Sequence, residues 1–489
     1  MRTSNLPSLL FLVPFLAALV AAAGGWLLPG AARWIALGAL IVTAALAVAA
    51  VPLVLTGGTL HTHLGGWAPP IGIEVLLDPL SAGVAALVAV VAVLIVGGSM
   101  REVREELPGQ ETVYYGNVLL MISGLLGIVI TGDLFNLFVQ IELASLSAYA
   151  LVATGGRGAP RAGLTYLIIG SFGASVYLAG VGFLYAATGT LNMADVAERL
   201  AAADPRLVLV GGVLMVAGLG VKMALFPLHM WMPAAYALSP SVSASLMAPL
   251  VTKVSAYALV RVVFWVFGGG ALAADRVLLD MVAVAGAAAI VAGGVMALLQ
   301  TDLRRLLAYS SVGQMGLVAL GAGVANAPGM TGAVLHIAND ALMKGALFLA
   351  AGIALLRFGV REVSDLSRLR GRAPWTSAVV AVAGLSLIGI PPLGGFFGKW
   401  YVLNGTLADG RWALTAAFVV GSLATVGYVL RLIEPLFFTA ASGDEGQREG
   451  SAPALVACGL LALLVILIGI GNERIVASIV TPALPGGLR

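Results

Sequence analysis

The segment GLGVKMALFPLHMWMP, residues 218 to 233, sets Lys222 behind the uncharged run LVLVGGVLMVAGLGV and places His229 between Pro227 and Pro233. Other apolar segments carry Glu142 in DLFNLFVQIELASLSAYAL, Lys253 in SASLMAPLVTKVSAYALV, His336, Asp340 and Lys344 in VLHIANDALMKGALFLA, and Lys399 in IGIPPLGGFFGKWYVLNG. A charge at the centre of a membrane helix costs roughly 2.5 to 3.5 kcal/mol on insertion scales. So many ionisable groups in apolar surroundings point to proton exchange, because a lysine stripped of water gives up its proton more readily. Simpler readings cover only part of the set. A lone lysine near a span end can snorkel to the interface, which applies best to Lys399 after PPLGG, and one fixed Glu142–Lys222 pair would explain two charges. Neither explains Lys253, Lys344 and Lys399 together.

These residues need a membrane scaffold, and the composition supplies one: 489 residues, 60% hydrophobic and 10% charged, against roughly 25% charged in soluble domains. Apolar runs of about 20 residues recur from end to end. The prediction is an all-α polytopic membrane protein of about fourteen transmembrane helices, one membrane domain throughout. Residues 1–110 hold the N-terminal helices, 113–267 a first repeat (spans four to eight), 277–438 a second (spans nine to thirteen), and 452–489 the last helix and tail. The run at 8–28 is read as the first span rather than a cleaved signal peptide. The seventh span (207–230) and the twelfth (375–407) are expected to be broken, at FPLHMWMP and GIPPLGG. Freed backbone groups at such breaks are tolerated only against protein or a wet cavity. Two broken, lysine-bearing spans set five apart predict a pair of inverted five-helix repeats.

Arginines gather on one set of loops: Arg33, Arg101, Arg104, Arg157, Arg161, Arg304, Arg305, the run from Arg357 to Arg372, and Arg448. Arg2, Arg199, Arg206, Arg261, Arg276, Arg411, Arg474 and Arg489 fall on the other side. By the positive-inside rule the first set is cytoplasmic and both termini lie outside. The net charge of +3 is spread over loops, which argues against a nucleic-acid partner. The single cysteine, Cys458, permits neither an internal disulfide nor a thiolate metal site, and with no Walker loop or CxxCH motif no cofactor is expected. His61 and His63 in TLHTHLGG have the spacing of a small metal site, but no acid or cysteine lies near them in that loop, so they are read as solvated outside residues. REVREELPGQE (101–111) and REVSDLSRLRGR (361–372) are expected on the cytoplasmic face, the latter as an interfacial segment meeting lipid headgroups or a partner.

Together, GDLFNLFVQIELASLSAYAL, KMALFPLHMWMPAAYALSPSVSASLMAPLVTKVSAYALVR, LAYSSVGQMG, NDALMKGALFLAAG and GIPPLGGFFGKW resemble the antiporter-like subunits shared by respiratory complex I and the Mrp cation/proton antiporters. GDLFNLFV and Asp340 place the resemblance on the D-type Mrp branch, with N-like and M-like complex I subunits as competitors. The resemblance implies a proton-translocating transporter subunit, not an enzyme, that couples proton entry to Na+ export through a mid-membrane Glu/Lys/His relay. It implies a hetero-oligomer with A-, B-, C-, E-, F- and G-type Mrp subunits in a bacterial cell membrane. The alternative is a proton-pumping subunit of complex I or a membrane-bound hydrogenase, whose redox chemistry belongs to other subunits.

Residue by residue, the resemblance assigns Glu142 as the fifth-span acid, Lys222 and Lys253 as the lysines of the seventh and eighth spans, and Lys344 and Lys399 as those of the eleventh and twelfth. His229 matches the histidine that links the first half-channel to the central axis. One departure stands out. The D-type pattern reads His-Asp before the eleventh-span lysine, whereas this chain reads Asn339-Asp340, and His336 one turn earlier is the candidate replacement imidazole. No carboxylate and carbonyl cluster marks a sodium cage.

Overall fold

The computed structural model describes residues 5–28, 30–267, 277–439 and 449–484; the predicted loop residues Arg2, Arg276, Arg448 and Arg489 lie outside these. Two long helices, α1 (Leu6–Leu27) and α2 (Ala31–Gly57), lead into a short antiparallel hairpin of β1 (Leu60–His63) and β2 (Glu74–Leu77). There follow α3 (Pro79–Gly98), α4 (Glu111–Ile130), α5 (Leu134–Ala153) and α6 (Ala159–Thr188). Next come α7 (Pro205–Lys222), the short α8 (Met232–Leu238), α9 (Ser241–Arg261), α10 (Val277–Leu299), α11 (Leu303–Gly323) and α12 (Ala327–Phe358). The chain continues with α13 (Pro374–Ile388), α14 (Gly394–Asp409), α15 (Trp412–Phe437) and α16 (Ala452–Ile470).

Thirteen helices among the described residues are long and apolar enough to cross a membrane. The predicted count of about fourteen is reached because the twelfth span is split into α13 and α14, neither long enough alone. The seventh span is broken as well. After Lys222 the backbone turns at Ala224, whose φ of 56° is a left-handed conformation costing an L-residue roughly 1 to 2 kcal/mol. Trp231 Nε1 then donates to Val221 O at 2.9 Å, so a carbonyl at the open end of α7 is satisfied inside the protein. The twelfth span stops at Gly389 (φ 94°) and restarts at Gly394. The two lysines sit on opposite sides of their breaks: Lys222 closes the helix before one, Lys399 lies in the helix after the other.

Polar helices occupy the centre. Every residue of α9 from Ser241 to Arg261 is buried, because its Ser, Thr, Lys and small residues suit protein neighbours better than lipid. It packs along α12, which packs in turn on α11 and α14. Glycines bring α10 and α11 into backbone contact: a Cβ on Gly293 would lie 2.4 Å from Gly313 N, and one on Gly286 2.4 Å from Leu320 N. Such close approach is the usual way helices associate where no hydrophobic effect drives them together.

Both ends of α9 are held by charge from elsewhere. At its N-terminus, which carries no side-chain cap of its own, Glu106 accepts from Ser241 N at 2.7 Å and Val242 N at 3.2 Å, meeting exposed amides and the positive end of the helix dipole. At the other end Arg261 forms a bidentate pair with Asp78, at 2.5 and 2.8 Å, and lies over the Trp265 ring at 4.4 Å. Asp78 also caps α3 by accepting from Ser81 N at 2.8 Å.

Replacing Asp78 with asparagine leaves a buried, unmatched guanidinium, and melting experiments in detergent should show about 3 to 5 kcal/mol of lost stability. Burial alone would raise the Asp78 carboxyl, but the Arg261 charge, with hydrogen bonds from Arg261 and Ser81, brings it down to about 2. A depressed carboxylate stabilises above its unfolded value, so this contribution is complete above about pH 4 and is lost as pH falls toward 2. Wild type should show that loss and the Asp78→Asn variant should lack it.

Candidate functional site

Glu142, Ser145 and Tyr149 share one face of α5, spaced at i, i+3 and i+7, and all three meet Lys222 at the end of α7. The Lys222 ammonium donates to Glu142 Oε1 at 3.2 Å, Ser145 Oγ at 3.0 Å and Tyr149 OH at 3.1 Å. An ammonium has three N–H donors, and here each has an acceptor. Glu142 keeps 23% of its side-chain surface exposed while Lys222 keeps 5%, so the pair has a wetter side at the carboxylate. His229 sits in the break beyond Lys222, stacked on Phe226 (5.4 Å between centroids) and edge-on to Tyr309 of α11 (6.0 Å). Its Nδ1 is buried with no hydrogen-bond partner among the described residues.

The second pair lies where α9 meets α12. Lys253 Nζ is 2.7 Å from Asp340 Oδ2, and it donates to Ala248 O at 2.9 Å and Thr252 Oγ1 at 3.4 Å. Lys253 and Asp340 keep 2% and 0% of their side-chain surface exposed, so removing either would leave the other buried and uncompensated.

Beyond this point acceptors thin out. Lys344, one turn after Asp340, donates to Leu307 O at 3.3 Å and to Ser310 Oγ of α11. Lys399 donates to one group, Ile388 O, at 3.2 Å; that carbonyl ends α13, so a lysine from beyond the break caps the negative end of the helix before it. Lys399 also lines, with Ser310, Gln314 and Tyr428, a cavity of about 10 Å³, roughly the room one water needs. His336 Nε2 lies 2.8 Å from Gln314 Oε1, and Gln314 Nε2 donates to Tyr428 OH at 3.3 Å. Asn339 donates to Gly394 O at 2.6 Å, tying α12 to the restart of the broken span. From Glu142 to Lys399 the lysines therefore have, among the described residues, three, three, two and one acceptors, with a carboxylate beside the first two only.

Residues 131–425 match the family described as NADH:quinone oxidoreductase/Mrp antiporter, TM, a stretch that contains every one of these ionisable groups. The chain belongs to this family. Over its whole length it is 41% identical to the NADH-quinone oxidoreductase subunit N of Desulforudis audaxviator (strain MP104C), with 99% of each chain covered. It is 30% identical to the D-type Na(+)/H(+) antiporter subunit of Bacillus subtilis (strain 168), covering 86% of this chain and 85% of that one. A chain in the structure of the membrane-bound sulfane sulfur reductase, an archaeal respiratory membrane complex, superposes with a TM-score of 0.90 at 30% identity, covering 98% and 97%.

In this antiporter-like subunit the structure joins Glu142 to Lys222 and Lys253 to Asp340. It gives Lys344, Lys399 and His336 neutral partners instead, and sets His229 against the rings of Phe226 and Tyr309 and the Pro227 backbone. Ser145, Tyr149, Thr252, Ser310 and Gln314 are additions to the predicted set. Helical spacing from Glu142 signals Ser145 and Tyr149; the α11 residues touch α12 only through tertiary packing. One premise of the sequence reading fails. His61 and His63 remain 32% and 33% exposed, but an acid does lie beside them, because the β1–β2 hairpin sets His63 opposite Glu74. Glu74 Oε1 lies 2.7 Å from His61 Nδ1 and 3.8 Å from His63 Nε2, and Asn192 Nδ2 donates to its other oxygen at 3.0 Å. An acid eleven residues after His63 in sequence (74 − 63) is brought close by strand pairing. Among the described residues no cluster of three or more His, Cys, Asp or Glu is placed to hold a metal ion.

The break carrying Lys399 leaves no room for a side chain at Gly395, where a Cβ would lie 1.9 Å from Ser386 O. Gly395→Ala must shift α14 against α13 and draw Lys399 off Ile388 O. We expect about 1 to 3 kcal/mol of lost stability, read as a lower melting temperature, and impaired transport in vesicles. Gly156→Ala, in an exposed loop where an added Cβ meets nothing within 4 Å, serves as the surface control and should leave transport intact.

Proposed function

We propose that this chain carries protons along the buried row from Glu142 to Lys399 as the D-type member of a multisubunit Na+/H+ antiporter. The observation that carries this reading is the graded row itself. Ionised Glu142 holds a proton on Lys222; weakening that pair passes the proton by way of water and His229 to Lys253, whose charge Asp340 balances. From there the proton moves by His336 and Lys344 to Lys399, the lysine with fewest acceptors, which opens to the opposite face. The membrane potential supplies about 2.3 kcal/mol per charge per 100 mV, and no prosthetic group takes part. The cation site lies wholly or partly in neighbouring A-, B-, C-, E-, F- or G-type subunits, since the four lysines suit protons rather than sodium.

A second reading, a proton-pumping subunit of complex I or a membrane-bound hydrogenase, draws support from the full-length similarity to an NADH-quinone oxidoreductase subunit N. Both readings make the chain a non-catalytic membrane subunit. They differ in what drives it. Asp340 favours the antiporter, because that acid sits where the D-type pattern has one and pairs directly with Lys253. We assign the arginine-rich loops to the cytoplasmic side of a bacterial cell membrane, with both termini outside.

Sodium-dependent proton transport in everted vesicles containing the whole assembly tests this. Glu142→Ala, Lys222→Ala and Lys399→Ala, at equal levels of assembled complex, should each reduce transport to below about a tenth of wild type. Undiminished transport in all three would make the buried charges structural. Proton transport that ignores sodium and requires quinone reduction by the assembly would establish the second reading.

A further inference from the structure

A cavity of about 950 Å³ opens on the arginine-rich face where α2, α3, α12 and α16 end together, lined by Arg33, Arg101, Arg104, Arg357 and Trp34. Its positive charge is only partly matched. Arg101 and Arg357 share one carboxylate, Glu105, at 2.8 and 2.9 Å, and Arg104 approaches Glu111 no closer than 4.0 Å. Glu102, buried behind the lining, accepts from Ser451 Oγ at 2.7 Å. Arg33 forms no ion pair among the described residues: its Nε is buried without a hydrogen-bond partner, and its guanidinium lies 5.4 Å over the Trp34 ring. One helical turn deeper, Leu37 on α2 and Gly97 on α3 continue the lining as an apolar wall. The outward surface of Trp34 is 60% exposed, as for a tryptophan at the membrane interface.

We propose that this cavity binds the phosphodiester headgroup of an anionic phospholipid, with Arg33 and Arg104 as its donors and an acyl chain lying past Leu37 and Gly97. A guanidinium fork matches two phosphate oxygens at once, and basic pockets between membrane helices on the cytoplasmic side are the setting in which such headgroups are held. A free phosphate would meet the same arginines but has no use for the apolar wall. The site reaches the proton row through one helix: Arg357 lies in the last turn of α12, the helix that carries Asp340 and Lys344. A bound lipid therefore ties α2 and α3 to the end of that helix.

The test is native mass spectrometry of the delipidated complex, offered phosphatidylglycerol or phosphatidylcholine with identical acyl chains, with and without inorganic phosphate. Wild type should retain phosphatidylglycerol in preference. Arg33→Gln and Arg104→Gln should each weaken that retention about fivefold, Arg33→Lys should fall between, and Arg206→Gln on the opposite face should leave it unchanged. Equal retention of the two lipids, or no effect of Arg33→Gln, overturns the proposal. Displacement of phosphatidylglycerol by millimolar phosphate would show a free-anion site and overturn it as a lipid site.

Discussion

An ammonium group deep in a helical bundle must be neutralised, solvated by protein acceptors, or deprotonated, and this chain buries four of them, each 8% exposed or less. That constraint organises the molecule. Lys222 and Lys253 each have a carboxylate and two further acceptors, the arrangement that favours a charged lysine; Lys344 and Lys399 have only hydroxyl and carbonyl oxygens. Buried ion pairs seldom stabilise a protein more than apolar residues of the same volume would. Retaining two of them, graded into two unpaired lysines, is costly for a scaffold and useful for a conductor of protons.

The surrounding architecture keeps those acceptors in place. Helix breaks after Lys222 and before Lys399 supply backbone groups inside the membrane, and each is closed by a side chain from elsewhere, Trp231 on Val221 O and Asn339 on Gly394 O. The helix bearing Lys253 is gripped at its ends by Glu106 and the Asp78–Arg261 pair. Fixed ends and a tight glycine seam between α10 and α11 let the middle of the bundle hold polar groups without admitting lipid.

Much of this is legible in the sequence. Apolar runs about as long as a bilayer is thick, two proline-marked interruptions and eight ionisable residues are all local features, and they locate the helices, the breaks and the charged members of the row. The neutral members are not legible, because Ser310 and Gln314 join the row only through the packing of α11 on α12, which no local pattern encodes. Sequence distance likewise hides Glu74 from His61 and His63 until strand pairing brings them together. The different placement of Lys222 and Lys399 about their breaks is visible in the residues, yet its consequence is not: a lysine beyond a break can cap the carbonyl end of the preceding helix.

The central claim is that the Lys253–Asp340 pair is there to move protons and not to hold the bundle together. The most direct measurement is proton translocation by an assembled complex bearing Lys253→Met together with Asp340→Leu, a double change that removes both charges and leaves neither one stranded. The account predicts a complex that assembles, melts no lower than wild type and translocates no protons. Transport at the wild-type rate would contradict it.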